Sequence, residues 1–486
     1  MSEERLSHRV VKSGMWVFAA RIAERAFSFV RLIILARLLL PQDFGVLGIA
    51  MLTMSVVETF SQTGFQAALI QKKDNAAEYL NSAWTVGIIR GIFLFTILYL
   101  VAPFAADFFK VPHAKPIIQI LGLSFFLGAF TNIGIVYFQK EFEFKRQFVY
   151  QLSTAFADFV VAVSAALILK SVWAIVYGLL AGNCVGLIMS YIVHPYRPRL
   201  SLDLRRAREL WGFGRWVSGS SILIFLITQG DDVFVGKVLG VAALGLYQLA
   251  YKISNLPATE ITHVISQVTF PAYSKLQDDI PSLREAYLKV LQVTAFLSFP
   301  VAGLIFALAP EFTKIFLGEK WMPMVPAMQV LVVAGLVRSI AATSGSMFGA
   351  VGKPKVDTLL QVVRLSVLAL LIYPLAIGWG IVGASMAVLV SIFISNIGFS
   401  FVALRITKCG TANFLKSIVF PFFNGVIIVL LIANLKTIMS IGFAGLLLLI
   451  CIGISTYVLM TYLADKVFSY KIQSLIKESL QALKGL

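Results

Sequence analysis

Apolar runs of about 20 residues, the length a helix needs to cross a bilayer, recur almost from end to end of this chain, separated by short and mostly basic connections. About fourteen spans can be drawn on that pattern. The first six run near 13–36, 44–70, 82–109, 114–138, 148–169 and 171–194. The next six run near 213–240, 243–270, 287–317, 323–349, 355–378 and 380–404, and two more near 414–434 and 440–463. Nothing between them is long enough for a separate globular domain, so the pattern predicts an all-α, polytopic membrane protein. Pro103, Pro257, Pro300, Pro310 and Pro374 interrupt spans, as in helices that bend around a pathway or kink to pack.

One stretch departs from the pattern. Ser13–Arg37 is long and apolar enough to span, yet carries Arg21, Glu24, Arg25 and Arg31 in its interior. At about +3 kcal/mol each, these four charges would cost roughly +12 kcal/mol facing lipid, which the flanking Val, Ile, Leu and Phe, at about −0.3 to −0.6 each, only partly offset. At about 100° per residue, Arg21, Glu24, Arg25 and Ser28 share one face, with Arg31 two turns above Glu24. That stripe must face protein or a water-filled cavity. The excess of positive charge suits a cavity built for an anion; a buried cluster in which Arg21, Glu24 and Arg25 neutralise one another would leave the same pattern.

The connections orient the chain. One side holds Arg5, Arg9 and Lys12; Lys72 and Lys73; Lys140, Lys145 and Arg146; Arg197, Arg199, Arg205, Arg206 and Arg208; Lys275, Arg284 and Lys289; Lys353 and Lys355; Arg405, Lys408 and Lys416; and the basic residues after 464. The other holds only Arg37, Lys110, Lys115, Lys170, Lys237, Lys314, Lys320 and Lys436. The positive-inside rule then puts both termini in the cytoplasm, which agrees with an even number of spans.

The chain also repeats itself. Shifted by 200 residues, GMWV at 14–17 falls over GRWV at 214–217, and Gly14, Trp16, Val17, Leu39, Gly45 and Ala50 meet identical residues. Six spans per copy is an even number, so both copies run the same way through the membrane, related by an axis along its normal. The expected organisation is an N-lobe at 1–196, a basic cytoplasmic linker at 197–212, a C-lobe at 213–408, two further spans at 409–463 and an amphipathic cytoplasmic tail at 464–486.

Composition sharpens this picture: 59% hydrophobic and 13% charged residues with a mean hydropathy of +0.87 exclude an ordinary soluble domain. The net charge of +17 belongs to cytoplasmic loops and needs no nucleic acid partner. Cys184, Cys409 and Cys451 fall within or beside spans without ligand spacing, so neither metal nor disulfide framework is expected. No cleavable leader is expected at the N-terminus, and no GxxxxGK[ST] occurs, so direct ATP use and any cofactor are not expected.

The remaining intramembrane ionisable groups are Glu58, Arg90, Asp158, Asp231, Asp232, Lys252, Glu260, His263, Arg338 and Arg364. Such groups mark a pathway or its gates. Arg31 and Asp231 coincide under the shift, so Arg31 is expected to pair with Asp231 or Asp232 across the lobe interface when the outer side is closed, unless those two acids end their helix in an external vestibule and pair with nothing. Glu58 and Glu260 fall at nearly equivalent depths, and His263 lies one turn from Glu260 and can titrate near neutrality. Coupling or gating is therefore assigned to Glu24, Arg31, Glu58, Asp231, Asp232, Glu260 and His263. A buried carboxylate held by Lys252 or Arg25 is the plainer alternative, and Lys252 could equally add charge to the cavity.

The stretches LARLLLPQDFGVLGIA at 35–50, ALIQKKD at 68–74, YFQKEFEFKR at 137–146, YQLAYKISNLP at 247–257, QVTFPAYSKLQDD at 267–279 and FLGEKWMPMVPAMQVL at 316–331 resemble the polysaccharide transporters of the Wzx type. The resemblance is to their colanic-acid-exporter branch, within the superfamily of multidrug, oligosaccharidyl-lipid and polysaccharide exporters, and covers nearly the whole chain. It implies a flippase that carries an undecaprenyl-diphosphate-linked oligosaccharide across the bacterial inner membrane. For such cargo Arg21 and Arg25, with Lys252, are the residues expected to hold the diphosphate, because guanidinium offers paired donors to phosphate oxygens. A proton or sodium as coupling ion and the polysaccharide polymerase machinery as partner remain open. The rivals are a drug extruder, which would want an acidic cavity, a membrane glycan polymerase or ligase, which would want a large external catalytic loop, and a structural subunit without transport.

Overall fold

The computed structural model describes residues 22–61, 76–140, 143–201, 222–255, 262–439 and 441–468, and every regular element among them is helical. Helix α1 covers residues 22–38. It turns at Leu39–Leu40 into α2 (Pro41–Phe60), whose start is fixed by proline at the first helical position and by Asp43, whose carboxylate accepts from Leu40 N at 2.9 Å. The other Asp43 oxygen accepts from Val172 N at 3.2 Å, which ties the head of α2 to a turn well over a hundred residues away.

Helix α3 spans Ala76–Phe109, followed by the short α4 (Ala114–Leu121) and α5 (Leu123–Ala129). A single span was expected over 114–138, but the chain leaves the helix at Thr131–Asn132 and continues as a 3-10 turn, Ile133–Val136. The reason lies in Asn132, which is fully buried and bonded in three directions. Its N–H donates to Ser190 Oγ at 3.0 Å, its Nδ2 to the Tyr196 carbonyl at 2.6 Å, and its Oδ1 accepts from Gly134 N at 2.9 Å. These bonds replace the helical ladder.

Helices α6 (Phe144–Leu169) and α7 (Trp173–Val193) form a tightly packed hairpin turned at Lys170. Residues 194–201 then run extended beneath α3, where Asn81 Oδ1 accepts from both Tyr196 Oη at 2.7 Å and Arg199 N at 2.8 Å. After the basic linker come α8 (residues 222–238), α9 (Val241–Ser254), α10 (Thr262–Lys275), α11 (Ile280–Phe312), α12 (Val325–Ala350), α13 (Pro354–Thr407), α14 (Thr411–Ile438) and α15 (Phe443–Phe468). Helix α13, 54 residues long, is two spans joined at a break: Trp379 and Gly380 leave helical geometry, Gly380 with φ +57°. The break sits at the glycine, not at Pro374, which the helix absorbs.

Nine helices among the described residues are long and apolar enough to cross a bilayer. Dividing α13 at its break, and adding α1, the α4–α5 segment, α8 and the α9–α10 pair, recovers the fourteen spans expected from hydropathy.

The chain forms two compact units that divide between Gly245 and Leu246. In the first, Leu35 and Leu39 pack with Ala162, Ala166, Ala174 and Ile175 of the α6–α7 hairpin. It also contains a backbone-to-backbone contact between the head of α2 and the head of α9. A Cβ on Gly45 would collide with the carbonyl oxygen of Val241, and a Cβ on Gly245 with that of Pro41. Each of these positions maps onto the other under the 200-residue shift. In the second unit, α11 packs on α12 and α14, and Tyr273, Leu283, Tyr287, Met347, Phe348 and Phe399 make one core. Tyr287 Oη and Ser344 Oγ satisfy each other inside it at 2.8 Å. Lys436 of α14 meets Glu311 of α11 at 2.6 Å, a pair the sequence reading had not made.

Candidate functional site

The charges of α1 lead into the first unit. Arg21 lies outside the described residues; Glu24 is half-buried and Arg25 exposed on the first turns of α1. Arg31, expected to meet Asp231 or Asp232 across the lobe interface when the outer side is closed, here places Nη1 at 2.5 Å from Asp158 Oδ2 on α6, with the two side chains 17% and 18% exposed. The Asp158 pair has a packing cause. Phe27, one turn below Arg31, sits against Phe156 and Phe159 at 5.8 and 5.5 Å between ring centres, which lays α1 along α6 and aims Arg31 at Asp158. From behind, α7 presents Gly178, where a Cβ would come 2.8 Å from Asp158 Oδ1. Asp231 of α8 is buried, 3% exposed, and Asp232 beside it half-buried.

Glu58 is exposed on the last turn of α2. Arg90 of α3 reaches that helix end: its Nε donates to the Ser61 carbonyl at 2.9 Å and its Nη2 to Ser61 Oγ at 3.2 Å. A cation on the terminal carbonyls of a helix sits at the negative end of the helix dipole, and Glu58 acts on it electrostatically from one turn back.

In the second unit the cation is Arg338 of α12, half-buried in mid-helix. Its Nη1 donates to Asn255 Oδ1 at 3.0 Å and its Nη2 to Tyr251 Oη at 2.6 Å, with the guanidinium 5.4 Å from the Tyr251 ring centre. Its Nε is buried and has no hydrogen-bond partner among the described residues, and no carboxylate there forms an ion pair with it. Tyr251 and Asn255 were not among the expected site residues, although their four-residue spacing puts them on one helix face. Lys252 is exposed on the adjacent position of α9. Glu260 lies outside the described residues, and His263 is described only as a backbone position on the first turn of α10.

The structure thus defines a multi-pass helical membrane protein that keeps cations and carboxylates inside an apolar body. Its fold is that of a lipid II flippase, MurJ, in an inward closed conformation, with a TM-score of 0.74 at 14% identity over 94% of this chain and 99% of that one. Residues 34–326 match the family described as "Polysaccharide biosynthesis protein", and the chain belongs to that family. An uncharacterized membrane protein in the cps region of Klebsiella pneumoniae is 26% identical over 484 residues, 98% of this chain and 99% of the relative. The lipopolysaccharide biosynthesis protein WzxC of Escherichia coli (strain K12) is 27% identical over 354 residues, 72% of each chain.

Proposed function

We propose that this protein is an alternating-access flippase that moves an undecaprenyl-diphosphate-linked oligosaccharide across the bacterial inner membrane for surface polysaccharide synthesis, with both termini in the cytoplasm. The observation that carries the reading is Arg338, a half-buried cation whose described partners are all neutral. Such a charge, costly inside an apolar body, is repaid by an anionic cargo. The family membership and the printed descriptions of the relatives point to surface glycans as its context. A diphosphate cannot cross hydrocarbon unaided, the sugars need a hydrated route, and the polyprenyl tail can stay in lipid. A cationic cavity that opens sideways serves all three.

In this mechanism Arg21 and Arg25 of the first span and Lys252 hold the diphosphate, and Arg338 of the second unit is a further cation suited to an anionic cargo. The six-span lobes at 1–196 and 213–408 rock about it, and no bond of the cargo is made or broken. Glu24, Arg31, Glu58, Asp231, Asp232, Glu260 and His263 are the groups through which an ion would couple to that motion, a proton or sodium being the candidates. A cation extruder would need the opposite sign in its cavity.

Flipping of a fluorescent undecaprenyl-diphosphate oligosaccharide in proteoliposomes tests this. Arg21→Ala, Arg25→Ala and Arg338→Ala, at matched insertion, should each slow flipping by about tenfold or more, the worth of one charge-assisted phosphate contact. Unchanged rates in all three would place the diphosphate elsewhere, and a wild type that moves nothing under any ion gradient would sink the flippase reading.

A further inference from the structure

Between α3, α5 and the turn at 131–136, the first unit holds a cavity of about 390 Å³, within the usual size range of small-molecule sites. The room comes from missing side chains. A Cβ on Gly87 or on Gly128 would meet nothing within 4 Å, whereas one on Gly91, a turn above Gly87, would collide with the Ala129 side chain and come 2.8 Å from the Phe125 carbonyl. The two helices therefore touch at Gly91 and stand apart at Gly87, so the cavity is a local opening in a close-packed pair.

Its polar wall is Arg90. A guanidinium has five N–H groups; Ser61 takes one from Nε and one from Nη2, and among the described residues no acceptor takes any of the others. Trp84, also on the wall, has its indole N–H committed to the Thr131 carbonyl at 3.1 Å, so what it offers an occupant is its ring. Ser124 Oγ accepts from Asn183 Nδ2 at 2.9 Å, which leaves its O–H to donate.

Charge decides between occupants. The Arg90 charge is already opposed by the carbonyl end of α2 and by Glu58, so the cavity is a poor site for a diphosphate. A lipid tail would leave the remaining guanidinium N–H groups without acceptors, which is costly for a donor removed from water. A neutral hexose suits both walls: adjacent hydroxyls accept from the guanidinium, and the C–H face of the pyranose lies on an indole ring.

We propose that this cavity is a separate saccharide subsite, which holds one neutral sugar unit of the glycan at Arg90 and Trp84 while the diphosphate is held by other cations. It deepens the flippase reading and rests on it. The test uses the full-length protein in nanodiscs and saturation-transfer NMR with methyl glucoside, methyl galactoside, methyl N-acetylglucosaminide and glucuronate. At least one neutral glycoside should receive transfer from the wild type, and Gly87→Leu and Gly128→Leu, which fill the cavity, should abolish it without lowering the melting temperature. Arg90→Lys should weaken binding about tenfold, because a point charge cannot reproduce the donor fork.

Transfer no greater than in empty nanodiscs, transfer that survives both filling substitutions, or a preference for glucuronate would each overturn the subsite. Flipping assayed on the same samples separates the two readings. Normal flipping without Gly87-sensitive glycoside binding removes the subsite and leaves the flippase, whereas Gly87-sensitive binding without flipping leaves a sugar site and removes the flippase.

Discussion

Asp158→Ala should cost the folded protein about 3–5 kcal/mol, the penalty of leaving a buried charge without its partner. Arg31 and Asp158 meet at 2.5 Å with less than a fifth of either side chain exposed, and with Asp158 gone the guanidinium would remain against the apolar flank of α6. Neither Phe27 a turn away on α1 nor Gly178 on α7 could take up the charge. Thermal unfolding in detergent should show a large fall in melting temperature for Asp158→Ala and for Arg31→Ala. The exchange Arg31→Asp with Asp158→Arg should recover part of it, because it restores opposite charges at the two positions. If Asp158→Ala melts with the wild type, or if the exchange is worse than both single changes, the pair does not hold α1 on α6.

Gly45→Ala and Gly245→Ala should each destabilise by more than the about 1–3 kcal/mol usual for overpacking, since in both cases the obstructing atom is a backbone carbonyl oxygen that no rotamer change can move. The double variant should cost little more than either single one, because the first added methyl already separates the heads of α2 and α9 and the second finds the space open. Melting temperatures of the three proteins decide this. Additive losses would mean that the glycines act independently, and losses within experimental error would mean that the two backbones separate freely.

The spans were legible because a bilayer imposes one length and one polarity on every crossing, and the division of α13 between 378 and 380 falls at the break that Trp379 and Gly380 make. The fourth span was misread as continuous because what breaks it is Asn132, whose partners Ser190 and Tyr196 lie at the far end of a later helix and its extension. A local pattern contains no trace of them. The charges were likewise legible as charges, Asp158 and Arg90 included, but helical phase gives only a face. Equivalent depth in the repeat pointed Arg31 at Asp231, whereas the Phe27 contacts that choose its neighbour are tertiary. Arg338 was visible as an intramembrane cation, and its neutral partners emerged only with Tyr251 and Asn255 in place. The proposed lobe boundaries and the proposed roles of Arg21, Arg25 and Lys252 rest on the sequence and on the experiments above.

The contact at Gly45 and Gly245 also limits what either position can carry. Pro41 to Gly45 meets Val241 to Gly245, and the same atoms serve in reverse from the other side, so any residue with a Cβ at either position presses a carbon against a carbonyl oxygen. The two helix heads come this close only while both positions stay without side chains.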